Sequence, residues 1–234
     1  MMPIAINSPL RRQERLRELG LSALLAWLLL LTFVVTPLVE LEVINQLSAE
    51  IIWALLGVVS VLVVSGHPAA VATIVAATVV GLATAIIDHA SVISAILARG
   101  SAAVALAALG AVIGNAVVGA GRVTWHRVRG AIALYMIIAL LFAHLYALSN
   151  LLLPQGFANV PRGTNAHAVF HQGHLLYFSF MTLTSVGYGN ITPTHPLTAS
   201  LVTLEALTGQ LFPAILLARL VSLEVEARRK GTRT

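Results

Sequence analysis

The sequence has little charge and no cysteine. Only 10% of its 234 residues are Asp, Glu, Lys or Arg, whereas 58% are hydrophobic. A soluble domain carries about 25% charged residues, so this chain has too few charges to cover a surface in water. The lack of cysteine excludes disulfides and thiolate metal sites. The composition therefore excludes an ordinary soluble or disulfide-linked domain.

The sequence contains several long apolar runs. About 20 apolar residues in a helix cross a hydrocarbon core of ~30 Å, and backbone groups in lipid need partners within their own segment. We therefore predict an all-α membrane protein with six spans. We place the spans at about 21–39, 51–64, 69–87, 101–120, 131–152 and 197–221. Residues 88–101 either form a loop or begin the fourth span early.

The basic residues flank these spans. Four lie in the N-terminal segment, three in the linker after the fourth span and four in the C-terminal tail. Basic residues concentrate on the cytoplasmic side of membrane proteins, so we expect both termini in the cytoplasm and a location in the plasma (inner) membrane. The orientation of the chain in the membrane explains the basic residues, and so the net charge of +5, better than nucleic-acid binding does. We expect no cleaved signal peptide, because the first apolar run is long enough to span.

A short apolar segment and a glycine-containing string precede the last span. Leu175–Leu183 is too short to cross, and T-L-T-S-V-G-Y-G-N-I-T-P follows from Thr182 to Pro193. This order predicts a re-entrant helix and an extended loop. Irregular backbone at membrane depth must be buried in protein or line water. Glycine reaches positive φ at no steric cost, so alternating glycines let successive carbonyls point toward one hydrophilic path.

The string resembles the T-V-G-Y-G filter of potassium channels. Residues 122–229 resemble the pore domain of these channels, and the whole chain resembles six-transmembrane, one-pore channels of the voltage-gated superfamily. The resemblance implies a homotetramer that is selective for K⁺, with K⁺ as the permeant ion and no cofactor. It implies a filter, here called the predicted filter, made of Thr184, Ser185, Val186, Gly187, Tyr188 and Gly189. Carbonyls of Ser185, Val186, Gly187 and Tyr188 would hold K⁺, and the Ser185 hydroxyl would add the innermost ligand.

The same resemblance assigns supporting residues. Thr182 matches a threonine that helps to hold the filter tyrosine, and Asn190 stands where aspartate is usual. Ser185 replaces the usual threonine. Met181 and Phe178 stand where some relatives have a glutamate and a tryptophan donor.

Three residues of the last span are candidates for support or gating. Glu205 either hydrogen-bonds behind the filter to Thr182 or Thr184, faces a water-filled cavity, or braces the helix with no role in permeation. Gly209 lies twenty residues after Gly189, the offset of the hinge glycine in related channels. It is either a hinge or a packing residue. Pro213 removes a helical hydrogen bond and favours a kink.

Three histidines lie at helical spacing before the short segment. His167, His171 and His174 share one helix face, and histidine titrates near neutral pH and binds metals. They form either a pH- or zinc-sensitive site or a wetted helix surface.

The spans divide the chain into four predicted parts. These are a cytoplasmic segment (1–20), a sensor-like four-helix domain (21–121), a pore domain (122–227) and a basic cytoplasmic tail (228–234). Span four lacks an arginine ladder, and Asn115 is its only strongly polar residue. We therefore expect weak voltage dependence or none. The four helices would form a packing scaffold, or a receptor for membrane lipids or an unknown regulatory partner.

Three alternative functions are compatible with parts of this sequence. A nonselective cation channel would share this architecture, but Tyr188 argues against it. A potassium-uptake subunit of this filter type would carry four pore loops, and this chain has one. The sequence does not exclude a silent partner subunit, which would not conduct ions. We expect no enzyme, because no nucleophile–base or metal-ligand set is evident in the sequence.

Overall fold

The computed structural model describes residues 9–44, 46–87, 91–119, 125–153, 155–160 and 172–231. Helices and two short strands make up the regular structure of these residues. In chain order they are α1 (Pro9–Leu30), a π-helical turn (Leu31–Val35), α2 (Thr36–Glu40), α3 (Gln46–Val64), α4 (Pro68–Ile87), α5 (Val92–Val118), α6 (Trp125–Leu152), β1 (Phe157–Ala158), α7 (Gln172–Leu183), β2 (Thr192–Pro193) and α8 (Pro196–Gly231).

Four helical segments are long and apolar enough to cross a membrane. They are Gly20–Glu40, Val92–Val118, Trp125–Leu152 and Pro196–Arg219. Two shorter apolar helical stretches, Ile51–Val64 and Pro68–Thr84, lie between the first and second of them. The described part of the chain is thus a helical protein with four candidate membrane helices. The count of six spans stays a prediction.

The first span is one helical rod with a widened turn. α1, the π-helical turn and α2 follow one another without a break from Pro9 to Glu40. Pro37 lies in the first turn of α2, where its ring would clash with the carbonyl four residues earlier in a regular helix. The turn widens instead: the Thr36 N–H bonds to the Leu31 carbonyl, and Thr36 Oγ1 donates to the same carbonyl at 2.8 Å.

The fourth span begins earlier than its apolar pattern suggested. α5 begins at Val92, and the Ser91 side chain caps it by accepting from the Ile93 N–H at 3.2 Å. Arg99 therefore lies within the helix, about 10 Å along its axis from Val92, and not in a loop before it. Of the two alternatives for residues 88–101, the structure has the early start of the fourth span for residues 92–101, because Ser91 caps the helix and a single arginine inside a helix does not break it. Residues 88–90 lie outside the described residues.

The basic linker is shorter than expected. α6 begins at Trp125, so Arg127 and Arg129 belong to its first turns and not to a loop before Ala131. Both reach neighbouring elements. Arg127 Nη1 donates to the Gly119 carbonyl after α5 at 2.8 Å, and Arg129 Nη1 donates to Ser22 Oγ of α1 at 2.9 Å. Arg122 lies outside the described residues.

The main core lies among α1, α3, α4, α5 and α6, with Leu176 of α7 at its margin. Its largest fully buried side chains include Leu24, Leu28, Leu31, Ile74, Leu109, Ile137 and Leu140. Gly110 and Gly114 of α5 lie against Leu134 and Ile137 of α6, so small residues let these two helices pack closely. α8 differs: only 11% of its apolar stretch is buried, against 67% for α6. It also continues unbroken to Gly231, so the predicted tail at 228 starts within a helix.

Candidate functional site

In the predicted filter, residues with positive φ alternate with residues that do not have positive φ. Ser185, Gly187 and Gly189 have φ values of 60°, 55° and 75°, whereas Val186 and Tyr188 between them do not have positive φ. An extended strand points successive carbonyls to opposite sides, and alternating left-handed residues turn them toward one side. Sequence reasoning expected positive φ at the glycines only. Ser185 is an addition, and a non-glycine residue rarely adopts this conformation unless its surroundings hold it.

The end of α7 holds this backbone in place. The N–H groups of Val186 and Gly187 both donate to the Met181 carbonyl, at 2.9 Å and 3.1 Å, and the Ser185 N–H donates to the Thr182 carbonyl at 3.0 Å. Thr184 closes the helix, because its Oγ1 donates to the Phe180 carbonyl at 2.6 Å. Met181 thus supports the loop through its carbonyl.

Two side chains from neighbouring helices reach the start of the predicted filter. Tyr135 of α6 donates its hydroxyl to the Leu183 carbonyl at 2.9 Å, and its ring stacks on Phe212 of α8 at 5.9 Å. Gln210 of α8 donates from Nε2 to Ser185 Oγ. Neither residue was predicted from the sequence. A polar side chain one position after Gly209, at the depth of the filter, was the available signal for Gln210.

All residues of the predicted filter are exposed in the single chain. Tyr188 is 70% exposed and Val186 is 50% exposed. The Tyr188 ring lies parallel to Tyr177 of α7, with centroids 6.4 Å apart and planes 7° apart. Asn190 is also exposed. Thr182 contributes its carbonyl to Ser185, and its expected role in holding Tyr188 stays a prediction.

Glu205 joins three helices behind the predicted filter. Its carboxylate is fully buried, and the Tyr146 hydroxyl of α6 donates to it. Ser179 of α7 also donates to it, while Ser179 Oγ lies 2.7 Å from the Ala139 carbonyl. The expected partners Thr182 and Thr184 were wrong, and so was the cavity-facing alternative, because the carboxylate points into the protein between α6 and α7. Because the buried Glu205 carboxylate accepts hydrogen bonds from two hydroxyls, it links α6, α7 and α8 of one chain.

An aromatic cluster surrounds this polar group. The rings of Tyr146, Phe157 and Phe178 contact one another edge to face, with centroids 5.3–5.4 Å apart. Phe157 belongs to β1, which pairs antiparallel with β2 just after the predicted filter. Phe178 therefore packs among aromatic rings. The sequence showed that a tryptophan donor is absent at this position, and it did not predict the cluster.

Gly209 makes a close contact in this structure. A Cβ on Gly209 would lie 2.0 Å from the Leu183 carbonyl oxygen and 2.7 Å from its carbonyl carbon. The last helix therefore crosses the end of α7 where only glycine fits. Pro213 lies inside α8, which continues through it. The packing alternative for Gly209 has direct support, and the hinge at Gly209 and Pro213 stays a prediction.

The histidine face is described only in part. His167 and His171 lie outside the described residues, and His174 of α7 has Nε2 3.7 Å from Glu40 Oε2. Among the described residues, no group of three or more His, Cys, Asp or Glu side chains could hold a metal ion. The proposed zinc or pH response stays a prediction.

The comparison with known families bears on the second half of the chain. Residues 132–226 match the model of a family described as "Ion channel". No curated protein matches the chain, and no solved structure matches it. The matched segment begins in α6, contains α7 and the predicted filter, and ends in α8. Residues 132–226 are therefore similar to an ion channel domain, and the described part of the chain has four helices that are long and apolar enough to cross a membrane.

Proposed function

We propose that four copies of this chain surround a pore that conducts K⁺ passively across the membrane and largely excludes Na⁺. The observation that carries the proposal is the positive φ at Ser185, Gly187 and Gly189, on every second residue of S-V-G-Y-G. Rings of backbone carbonyls can replace the hydration shell of K⁺, and this backbone provides one carbonyl column per chain. The ion channel domain at residues 132–226 supports passive ion conduction by the same segment.

Assembly into a tetramer is part of the proposal. One column of carbonyls cannot surround an ion, so several copies must meet, and soluble and membrane oligomers of one chain favour closed symmetry. Two features of the single chain support this. The outer half of the predicted filter is exposed, and α8 buries only 11% of its apolar stretch. In the tetramer these surfaces would face the pore axis and the neighbouring copies, and membrane lipids would cover the rest.

The membrane arrangement is proposed with the function. In this arrangement α3 and α4 also cross, which gives six spans, and both termini lie in the cytoplasm of a plasma (inner) membrane. α3 and α4 have 19 and 20 residues, which is close to the length needed to cross. The basic residues of both terminal segments support this orientation.

The test is ion flux from purified protein in liposomes. We expect K⁺ efflux that is at least about tenfold faster than Na⁺ efflux, because the carbonyl rings suit the larger ion. Gly187→Ala should abolish flux, because its φ of 55° disfavours a side chain. Gly100→Ala is the matched control, since nothing lies within 4 Å of a Cβ there.

Three results would contradict the proposal. Equal K⁺ and Na⁺ fluxes would favour a nonselective cation channel of the same architecture. Flux that survives in Gly187→Ala would show that the ion path lies elsewhere in the protein. A wild-type protein that passes neither ion would favour a silent partner subunit.

A further inference from the structure

The end of the first helical rod contacts the beginning of α7. Glu40 is the last residue of α2, and its Oε1 accepts a hydrogen bond from the Gly173 N–H at 3.0 Å. Its Oε2 lies 3.7 Å from His174 Nε2. These two residues are in the first turn of α7, which begins at Gln172. A carboxylate that is distant in sequence therefore caps α7.

The contact is too close for a side chain at Gly173. A Cβ there would lie 2.7 Å from Glu40 Oε1, 2.9 Å from its Cγ and 3.0 Å from its carboxyl carbon. Such distances require one of the groups to move. The Glu40 side chain therefore lies directly against the backbone of Gly173.

A second contact joins the same two elements near the other end of α7. Phe33, in the widened turn of the first rod, lies beside Phe180 with ring centroids 6.2 Å apart. Phe180 is one residue before Met181, whose carbonyl holds Val186 and Gly187. The first rod thus contacts α7 at its first turn and again next to the residue that supports the predicted filter.

The physics of helix ends gives the Glu40 contact its effect. The first N–H groups of a helix have no partner within the helix, and a carboxylate beside them satisfies one donor and opposes the positive end of the helix dipole. α7 has 12 residues, which makes it a short rigid element. Loss of the cap at its first turn therefore displaces or frays the element that positions the filter backbone.

We propose that Glu40 is a positioning residue for conduction: by capping α7 it holds the predicted filter in its conducting geometry and links the first four spans to the pore. This inference rests on the proposed function of the chain as an ion channel. It also gives the four-helix domain a route to the pore that does not pass through the linker between α5 and α6. A ligand or lipid that shifts the first rod would act on the filter through Glu40.

The experiment compares full-length variants in two measurements. Hydrogen exchange in detergent micelles or nanodiscs follows the amides of residues 173–176, and single-channel recording in planar bilayers follows open probability. Glu40→Ala removes the acceptor and the charge, and Glu40→Gln keeps an acceptor oxygen. Glu42→Gln is the control, because it removes an exposed acidic group two residues further along.

We expect Glu40→Ala to speed hydrogen exchange at Gly173 and to lower the open probability, each by about fivefold. This factor corresponds to the free energy of about 1 kcal/mol that a typical helix cap contributes. Single-channel conductance and ion selectivity should stay as in the wild type. Glu40→Gln should recover most of the protection and most of the open probability. Glu42→Gln should match the wild type in both measurements.

Three outcomes would overturn the inference. Unchanged exchange at Gly173 in Glu40→Ala would mean that the cap does not form in the membrane. Faster exchange with unchanged open probability would make Glu40 a structural cap with no role in conduction. A Glu40→Gln variant no better than Glu40→Ala would show that the hydrogen bond is not what holds α7. A wild-type protein without current fails the proposed function, and the exchange measurement then still decides whether the cap forms.

Discussion

Gly209 of α8 crosses Leu183 at the end of α7 with no space between their backbones, because a Cβ on Gly209 would lie 2.0 Å from the Leu183 carbonyl oxygen. That same carbonyl accepts the Tyr135 hydroxyl. Therefore α8 and α6 meet at Leu183, the residue before the predicted filter. A side chain at position 209 would therefore displace α8 or the end of α7.

Gly209→Ala tests this crossing. The added methyl group meets backbone, which cannot move cheaply, so we expect a loss of about 1–3 kcal/mol of stability and the loss of most K⁺ flux. Thermal unfolding in detergent and liposome flux measure the two effects, with Gly100→Ala as the control. A variant of normal stability with reduced open probability alone would instead support a hinge at Gly209.

Removal of the buried carboxylate tests the link behind the filter. Glu205→Ala leaves the buried Tyr146 hydroxyl without its acceptor, whereas Ser179 Oγ keeps the Ala139 carbonyl, so we expect the free energy of unfolding to fall by about 2 kcal/mol. Tyr146→Phe removes one donor and should cost about 1 kcal/mol. Urea unfolding followed by tryptophan fluorescence measures both, and Glu42→Gln is the exposed control. Equal stability of all three variants would mean that Glu205 is solvated in the assembled protein.

Gln210→Leu tests the side chain beneath the filter. Leucine has a similar size and cannot donate to Ser185 Oγ, so the Ser185 hydroxyl loses this partner while its backbone N–H keeps its hydrogen bond to the Thr182 carbonyl. We expect single-channel K⁺ conductance to fall about fivefold, in line with one hydrogen bond of typical strength. Leu211→Met, at the exposed neighbouring position, should conduct normally. Normal conductance in Gln210→Leu would show that the Gln210 contact does not persist in the membrane.

Voltage should affect this protein weakly or not at all. One elementary charge that crosses the field contributes about 2.3 kcal/mol per 100 mV, and steep gating uses about 3–4 charges per subunit. Arg99 is the only charged residue of α5, so four copies could supply at most about 9 kcal/mol per 100 mV. Residues 51–87 contain no acidic residue to pair with a moving arginine. A conductance–voltage curve in symmetric K⁺ is the measurement, and an effective gating charge above about three per channel would contradict the expectation.

Short-range patterns made much of the fold predictable. The apolar runs predicted a helix for each of the six proposed spans, and the short run before the glycines predicted α7, which ends at Leu183 as expected. Helix starts were less predictable. α5 and α6 begin nine and six residues before the expected positions, because arginines near a helix end do not break a helix, whereas hydropathy alone treats them as loop.

The sequence by itself determined the alternation of glycines in S-V-G-Y-G, and the absence of a Cβ at Gly187 and Gly189 permits the positive φ that the structure has there. It could not determine what the carboxylate of Glu205 accepts from, because Tyr146 and Ser179 lie 59 and 26 residues away. The contacts of Glu40 with Gly173 and of Gln210 with Ser185 span 133 and 25 residues. Such pairs depend on how α2, α6, α7 and α8 pack together. Helix periodicity shows which residues share a face, and only the tertiary structure brings the faces of different helices into contact.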